Sequence, residues 1–93
     1  MVKIQLSDNK GAVPAHQAAM QGEQIEWQNV SSIQRTLSFT VWPFREAPQN
    51  IQIKAKSRST QFTIDPNATS RGYSYTIDPP PDGPPDEPSI NVG

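Results

Sequence analysis

The stretch Gly22-Glu23-Gln24-Ile25-Glu26-Trp27-Gln28-Asn29 sets Ile25 and Trp27 against Gln24, Glu26 and Gln28. Successive side chains on a strand point to opposite faces, so this alternation reads as a strand with one apolar and one polar side. The pattern recurs outward in both directions. Val2, Ile4 and Leu6 precede it. Leu37, Phe39 and Val41, then Ile51, Ile53 and Ala55, then Phe62 and Ile64 follow it. Tyr73, Tyr75 and Ile77 continue the series, and Ile90 and Val92 close it. Between these runs lie turn formers: Ser7 to Gly11, Gln21-Gly22-Glu23, Asn29 to Ser32, Asp65-Pro66-Asn67 and Arg71-Gly72. Strands that each offer one apolar face bury it by packing two sheets together. The expectation is an all-β, two-sheet antiparallel Greek-key sandwich of about seven strands. The Ala12–Met20 stretch is less regular, with Val13-Pro14 reading as an edge strand or bulge.

With 93 residues the chain makes a single domain, 1–93, near the lower limit for folding without disulfides or metals. It contains no Cys, which removes disulfides, thiolate metal ligands and thiol nucleophiles together. One His, His16, is too few for a histidine cluster. The hydrophobic share is 33% and the mean hydropathy −0.66, yet net charge is only −1. Disorder throughout would need high net charge or fewer core-forming residues, so one narrow core under a polar surface fits better. The near-neutral charge argues against nucleic acid and membrane surfaces as partners. No apolar run approaches the roughly 20 residues of a membrane span. Met1 to Leu6 lacks the apolar stretch of a signal peptide, so a cytoplasmic location is the default expectation. A mature secreted domain with an added Met would read the same way.

The quoted stretch, a short loop and Leu37-Ser38-Phe39 together resemble the cupredoxin pattern G-[DE]-x-V-x-W-x-N…H-x-V-x-F. Thr60 to Ile64, then Gly72-Tyr73-Ser74-Tyr75 and a final strand, resemble the family's approach to its C-terminal copper loop. The resemblance covers about Val2 to Val92 and implies a cupredoxin-like domain. Its ligand positions are where the chain departs. Blue copper takes a Cys thiolate, two imidazoles and a weak axial Met. Where the family's first ligand His stands, four residues before Phe39, this chain has Arg35. The Cys position falls on Ile77 and the next His position near Pro80. No Met lies beyond Met20. The resemblance therefore implies a member lacking the copper ligands, with no cofactor.

Other chemistry is thin. His16 is the only imidazole available to activate a hydroxyl, and it precedes the stronger strands. Glu23 with Glu26, and Asp65 with Asp78, read as a solvated strand face and as turn starters. The run Asp78 to Pro88 is a proline-rich loop before the last strand; its prolines stiffen it against wrapping a cation with Asp82, Asp86 and Glu87. Lys54, Lys56 and Arg58 read as edge protection rather than a phosphate stripe. Asn29-Val30-Ser31 and Asn67-Ala68-Thr69 match glycosylation acceptors and carry no assigned role.

No catalytic or metal site is expected, and the chain is not read as an enzyme. Trp42-Pro43-Phe44 holds the interest: Trp42 shares parity with Ser38 and Thr40, so it should face away from a core filled by Leu37, Phe39 and Val41. It either caps the sandwich or meets a partner. The candidate partner-binding residues are Trp42, Phe44, Arg45, Asp82 and Asp86. The expected function is a non-catalytic, metal-free interaction or assembly module, its partner another protein or a second copy. The alternative is a small-molecule or carbohydrate-binding sandwich that stacks its ligand on exposed aromatics.

Overall fold

In the computed structural model, residues 1–47, 50–83 and 87–93 are described. They form ten strands and no helix. In chain order these are β1 (Val2–Ser7), β2 (Gly11–Val13), β3 (His16–Ala19), β4 (Gln24–Asn29) and β5 (Arg35–Phe39), then β6 (Ile51–Ile53), β7 (Ser57–Arg58), β8 (Phe62–Thr63), β9 (Arg71–Asp78) and β10 (Ser89–Val92). One sheet runs β2-β1-β4-β7, with β8 also pairing with β4; the other runs β3-β10-β9-β5-β6. The all-β two-sheet sandwich is as expected. The added strands are β2, β3 and β7; β2 and β3 lie in the irregular Ala12–Met20 region or at its start, and β7 is two residues long.

Two of the pairings are parallel: β1 with β4 and β3 with β10. Alternation tells which face a residue occupies and says nothing about direction. Direction follows from the reversals. The turn at Asp8–Lys10 reverses the chain into β2, β3 continues past Pro14 in the other sheet, and the turn before Gln24 reverses it again. Two reversals return β4 to the direction of β1.

Trp27 occupies the centre of the core, fully buried. Its ring meets Phe39, Phe44, Phe62 and Tyr75 edge-on, with centroids 5.8 to 6.2 Å apart. Such contacts add ~0.5–1.5 kcal/mol each beyond the area they bury. The indole Nε1 donates to the Tyr75 hydroxyl at 3.3 Å. Burial pushes the Tyr75 phenol up to about 12, and the Trp27 hydrogen bond opposes that shift. Ile4, Leu6, Ile25, Leu37, Ile53, Ile64 and Ile90 fill the space around the aromatic cluster.

The parity argument for Val41 and Trp42 fails. β5 stops at Phe39 and the chain bends at Thr40 and Val41. Strand parity does not survive a bend, so Val41 is 43% exposed while Trp42 turns back half-buried. Its ring packs on Phe39, Phe44 and Phe62, and its Nε1 donates to Glu46 O at 2.6 Å. Phe44 is buried in the core and bridges to Ile64. Trp42 therefore caps the cluster, and Phe44 is removed from any contact surface.

Candidate functional site

One end of the sandwich gathers three connections: the β1–β2 turn, the β4–β5 loop and the start of the proline-rich loop after β9. Pairing in register brings Arg35, the first residue of β5, beside the end of β9, where Leu37 faces Ile77 and Thr36 faces Asp78. Asn29 ends β4 and is fully buried. Its Nδ2 donates to Ile33 O at 2.9 Å, Ile53 O at 3.0 Å and Lys54 O at 3.2 Å, while its Oδ1 accepts from the Ser31 amide. This one amide ties the β4–β5 loop to β6, and it places the Ser31 hydroxyl beneath Arg35. Buried in that way, Asn29 is no glycosylation acceptor in the folded chain; Asn67 is exposed.

Arg35 is 3% exposed. Its Nε donates to Ser31 Oγ at 3.2 Å, and one terminal nitrogen reaches Pro79 O at 2.5 Å and Pro80 O at 3.3 Å. The other donates to Asp8 Oδ1 at 3.4 Å. The planar guanidinium fork, with donors on three nitrogens, serves all three connections at once. The Ser32 amide is the main reason that the Asp8 carboxyl lies below its ordinary range; desolvation opposes this, and the Ser32 hydroxyl, Arg35 and Lys56 add to it.

Backbone contacts complete the closure. The Asp82 amide donates to Asp8 O at 2.8 Å and the Gly83 amide to Asn9 O at 2.9 Å. A Cβ on Gly83 would sit 2.4 Å from Asn9 O, so glycine is required for that approach. Gly11 holds φ +72°, and a Cβ there would press on the Pro81 ring at 3.2 Å. Among the described residues, every buried side-chain nitrogen or oxygen has a partner.

The chain is similar in fold to a purple cupredoxin from Nitrosopumilus maritimus: 13% identity, TM-score 0.70, with 100% of each chain covered. It is similar to a copper(I) amicyanin variant at 16% identity and TM-score 0.71, over 99% of this chain and 81% of that one. It is also similar to plastocyanin from Dryopteris crassirhizoma, at 14% identity and TM-score 0.67, over 99% of this chain and all of that one. No protein-family model matches the sequence, and no curated protein matches it. At these identities the likeness is one of architecture, and the architecture is the cupredoxin fold.

The side chains at the three positions that the sequence resemblance assigns to copper ligands do not suit the metal. Arg35 offers a permanent cation, Ile77 an alkyl chain, and Pro80 no side-chain donor. Among the described residues no three His, Cys, Asp or Glu side chains cluster as a metal site would need. Of these three positions, Arg35 bonds directly to the Pro80 carbonyl, and Ile77 pairs across the sheet with Leu37.

The candidate contact residues do not converge. Asp82 is exposed at this end. Trp42, Phe44 and Arg45 lie toward the other end, where Phe44 pairs with Ile64 and the Arg45 amide bonds Thr63 O, next to the start of β4. Arg45 is exposed there, and Asp86 lies outside the described residues. Asp8, Asn29 and Ser31 were not marked as site residues from sequence. A signal was available: Arg35 has the parity of Leu37, and a cation on the core side of a strand requires acceptors nearby. His16 has a neighbour that the sequence did not reveal: its Nδ1 lies 2.8 Å from the buried Ser89 hydroxyl, which also donates toward Asn91 Oδ1. That contact staples β3 to β10.

Proposed function

We propose that this chain is a non-catalytic, metal-free interaction module of cupredoxin-like fold whose contact face is the loop end held by Arg35. The observation that carries this reading is the guanidinium network. It ties three loops together at this end and leaves a rim of Ile33, Pro79, Pro80 and Asp82, all exposed. A surface already ordered by hydrogen bonds loses little conformational entropy on binding. Ile33 supplies an apolar point on that rim, and prolines add rigid contact area. The rim replaces the Trp42–Phe44 segment as the leading contact candidate.

The carbohydrate alternative lacks a platform, because each of the seven aromatic residues is buried or half-buried. The test compares native-extract capture by the wild type, Ile33→Glu and Val41→Glu. A partner retained by wild type and Val41→Glu but lost by Ile33→Glu supports the rim, provided that thermal midpoints agree. Capture indifferent to Ile33→Glu would refute it.

A further inference from the structure

We propose that the chain self-associates through β3, two copies pairing antiparallel along the outer edge of the second sheet. β3 ends that sheet, and among the described residues only β10 pairs with it. The Ser89 amide donates to Ala15 O and the Gly93 amide to Ala19 O, so the odd-numbered residues here turn their backbone groups inward. By alternation His16 and Ala18 turn theirs outward. The Gln17 side chain donates to Ala18 O at 2.8 Å, capping one outward acceptor in the single copy. An incoming strand displaces that cap.

Charge separates this flank, which carries β2 and β3, from the opposite one. From Gly11 to Gly22 there is no Asp, Glu, Lys or Arg. On the opposite flank, the segment from β6 to β7 exposes Lys54, Lys56 and Arg58. Cations on an edge strand are a standard defence against pairing, and β3 has none. Two copies meeting at the β6–β7 flank would set each cation against its own image. Two copies meeting at β3 set uncharged against uncharged. A partner that recognises charge has nothing to read on this strand, which leaves a second copy as the fitting occupant.

The details suit a two-fold contact. Pairing about Gln17 sets His16 opposite Ala18 of the second copy and the reverse, so both outward residues exchange backbone hydrogen bonds with the second copy. Ala18 is small and exposed, and exposed Val13 and Met20 flank the strand. His16 is already held by Ser89 and needs little ordering. The second sheets of two copies then become one continuous sheet across the two-fold axis. A four-residue contact is a small one, so the dissociation constant should be on the order of 1 mM.

Sedimentation velocity on the full chain, run from well below to about twice that concentration, should show reversible monomer–dimer exchange. Ala18→Lys, at an exposed position, should weaken it at least ~tenfold by adding like charges across the pair. Concentration-dependent amide shifts in the wild type should centre on His16 to Ala19, a readout that needs no variant. Ile33→Glu should leave association unchanged, which separates this edge from the loop-end rim. A wild type that sediments as monomer throughout overturns the proposal. So does a dimer whose strength Ala18→Lys does not alter, or whose shifts centre elsewhere.

Discussion

Replacing Arg35 by alanine tests whether the guanidinium holds the loop end together. The side chain is 3% exposed and bonds Ser31, Pro79, Pro80 and Asp8. A hydrogen bond with a charged partner contributes about 1.5–3 kcal/mol where water cannot substitute. Ser31 is fully buried and qualifies, whereas Pro79 and Pro80 lie in exposed positions where water can replace the donor. The ion pair adds little, because Asp8 is 43% exposed and screened. Losing the buried methylene stem contributes about 0.8 kcal/mol per CH2. Together these give a loss of about 3 kcal/mol for Arg35→Ala, a large part of the total stability of a domain this size. At ~4–8 °C per kcal/mol, the thermal midpoint should fall by about 12–24 °C. Urea unfolding followed by Trp27 fluorescence measures the free energy, and hydrogen exchange at the Asp82 and Gly83 amides reports the loop. Arg35→Lys should lie between, since one ammonium serves fewer acceptors. Asp8→Asn should cost much less than Arg35→Ala. An Arg35→Ala loss below about 1 kcal/mol, with both amides still protected, would refute the account of the network.

Trp42→Ala should cost about 2 kcal/mol in urea unfolding, because the ring is half-buried against Phe39, Phe44 and Phe62; an unchanged midpoint would mean that it caps nothing. Gly83→Ala drives a Cβ to 2.4 Å from Asn9 O, so the loop must lift and the fold lose about 1–3 kcal/mol, read by the same exchange at Asp82. Asp8 has a lowered folded pKa, so its contribution is present above the unfolded value, 3.8, and lost as acid protonates the folded carboxylate; Asp8→Asn should flatten that acid limb of a stability–pH curve. Tyr75 works in the opposite direction. Its folded value is raised from 10.0 to about 12, so its contribution is full below 10 and disappears toward 12, visible as late phenolate absorbance absent in Tyr75→Phe. Copper(II) added to the wild type should produce no thiolate-to-copper absorption, whereas Arg35→His, Ile77→Cys and Pro80→His combined should create it; a folded triple variant without that band would show that the positions do not converge.

The alternation around Ile25 and Trp27 was sufficient for the sandwich, because burial on one face of a strand is a local property of neighbouring residues. The same reasoning went wrong at Val41 and Trp42, where a bend after Phe39 broke the parity that the argument needed. Phe44, a candidate contact residue by its place after Trp42 and Pro43, is buried in the core. The parallel pairings are not legible in the alternation, because direction depends on how many times the chain reverses, which short strands such as β2 and β3 hide.

For the loop end, the residue types alone settled one point. A chain without Cys cannot form a thiolate copper site, whatever its fold. The motif spacing goes further and assigns Arg35, Ile77 and Pro80 to the ligand positions of the resembled family; the pairing of β5 with β9 sets Ile77 beside Leu37, two residues from Arg35. What no sequence pattern contains is the set of acceptors around Arg35. Two are backbone carbonyls of prolines more than forty positions away in the chain, and backbone groups carry no residue signature. Only the approach of three loops across the end of the sandwich, through Asp8, Ser31 and the Pro79–Pro80 turn, makes a buried cation a bonded one. Composition and alternation decided what this protein is built from and that it has no thiolate to offer; long-range packing decided how its loop end is held together.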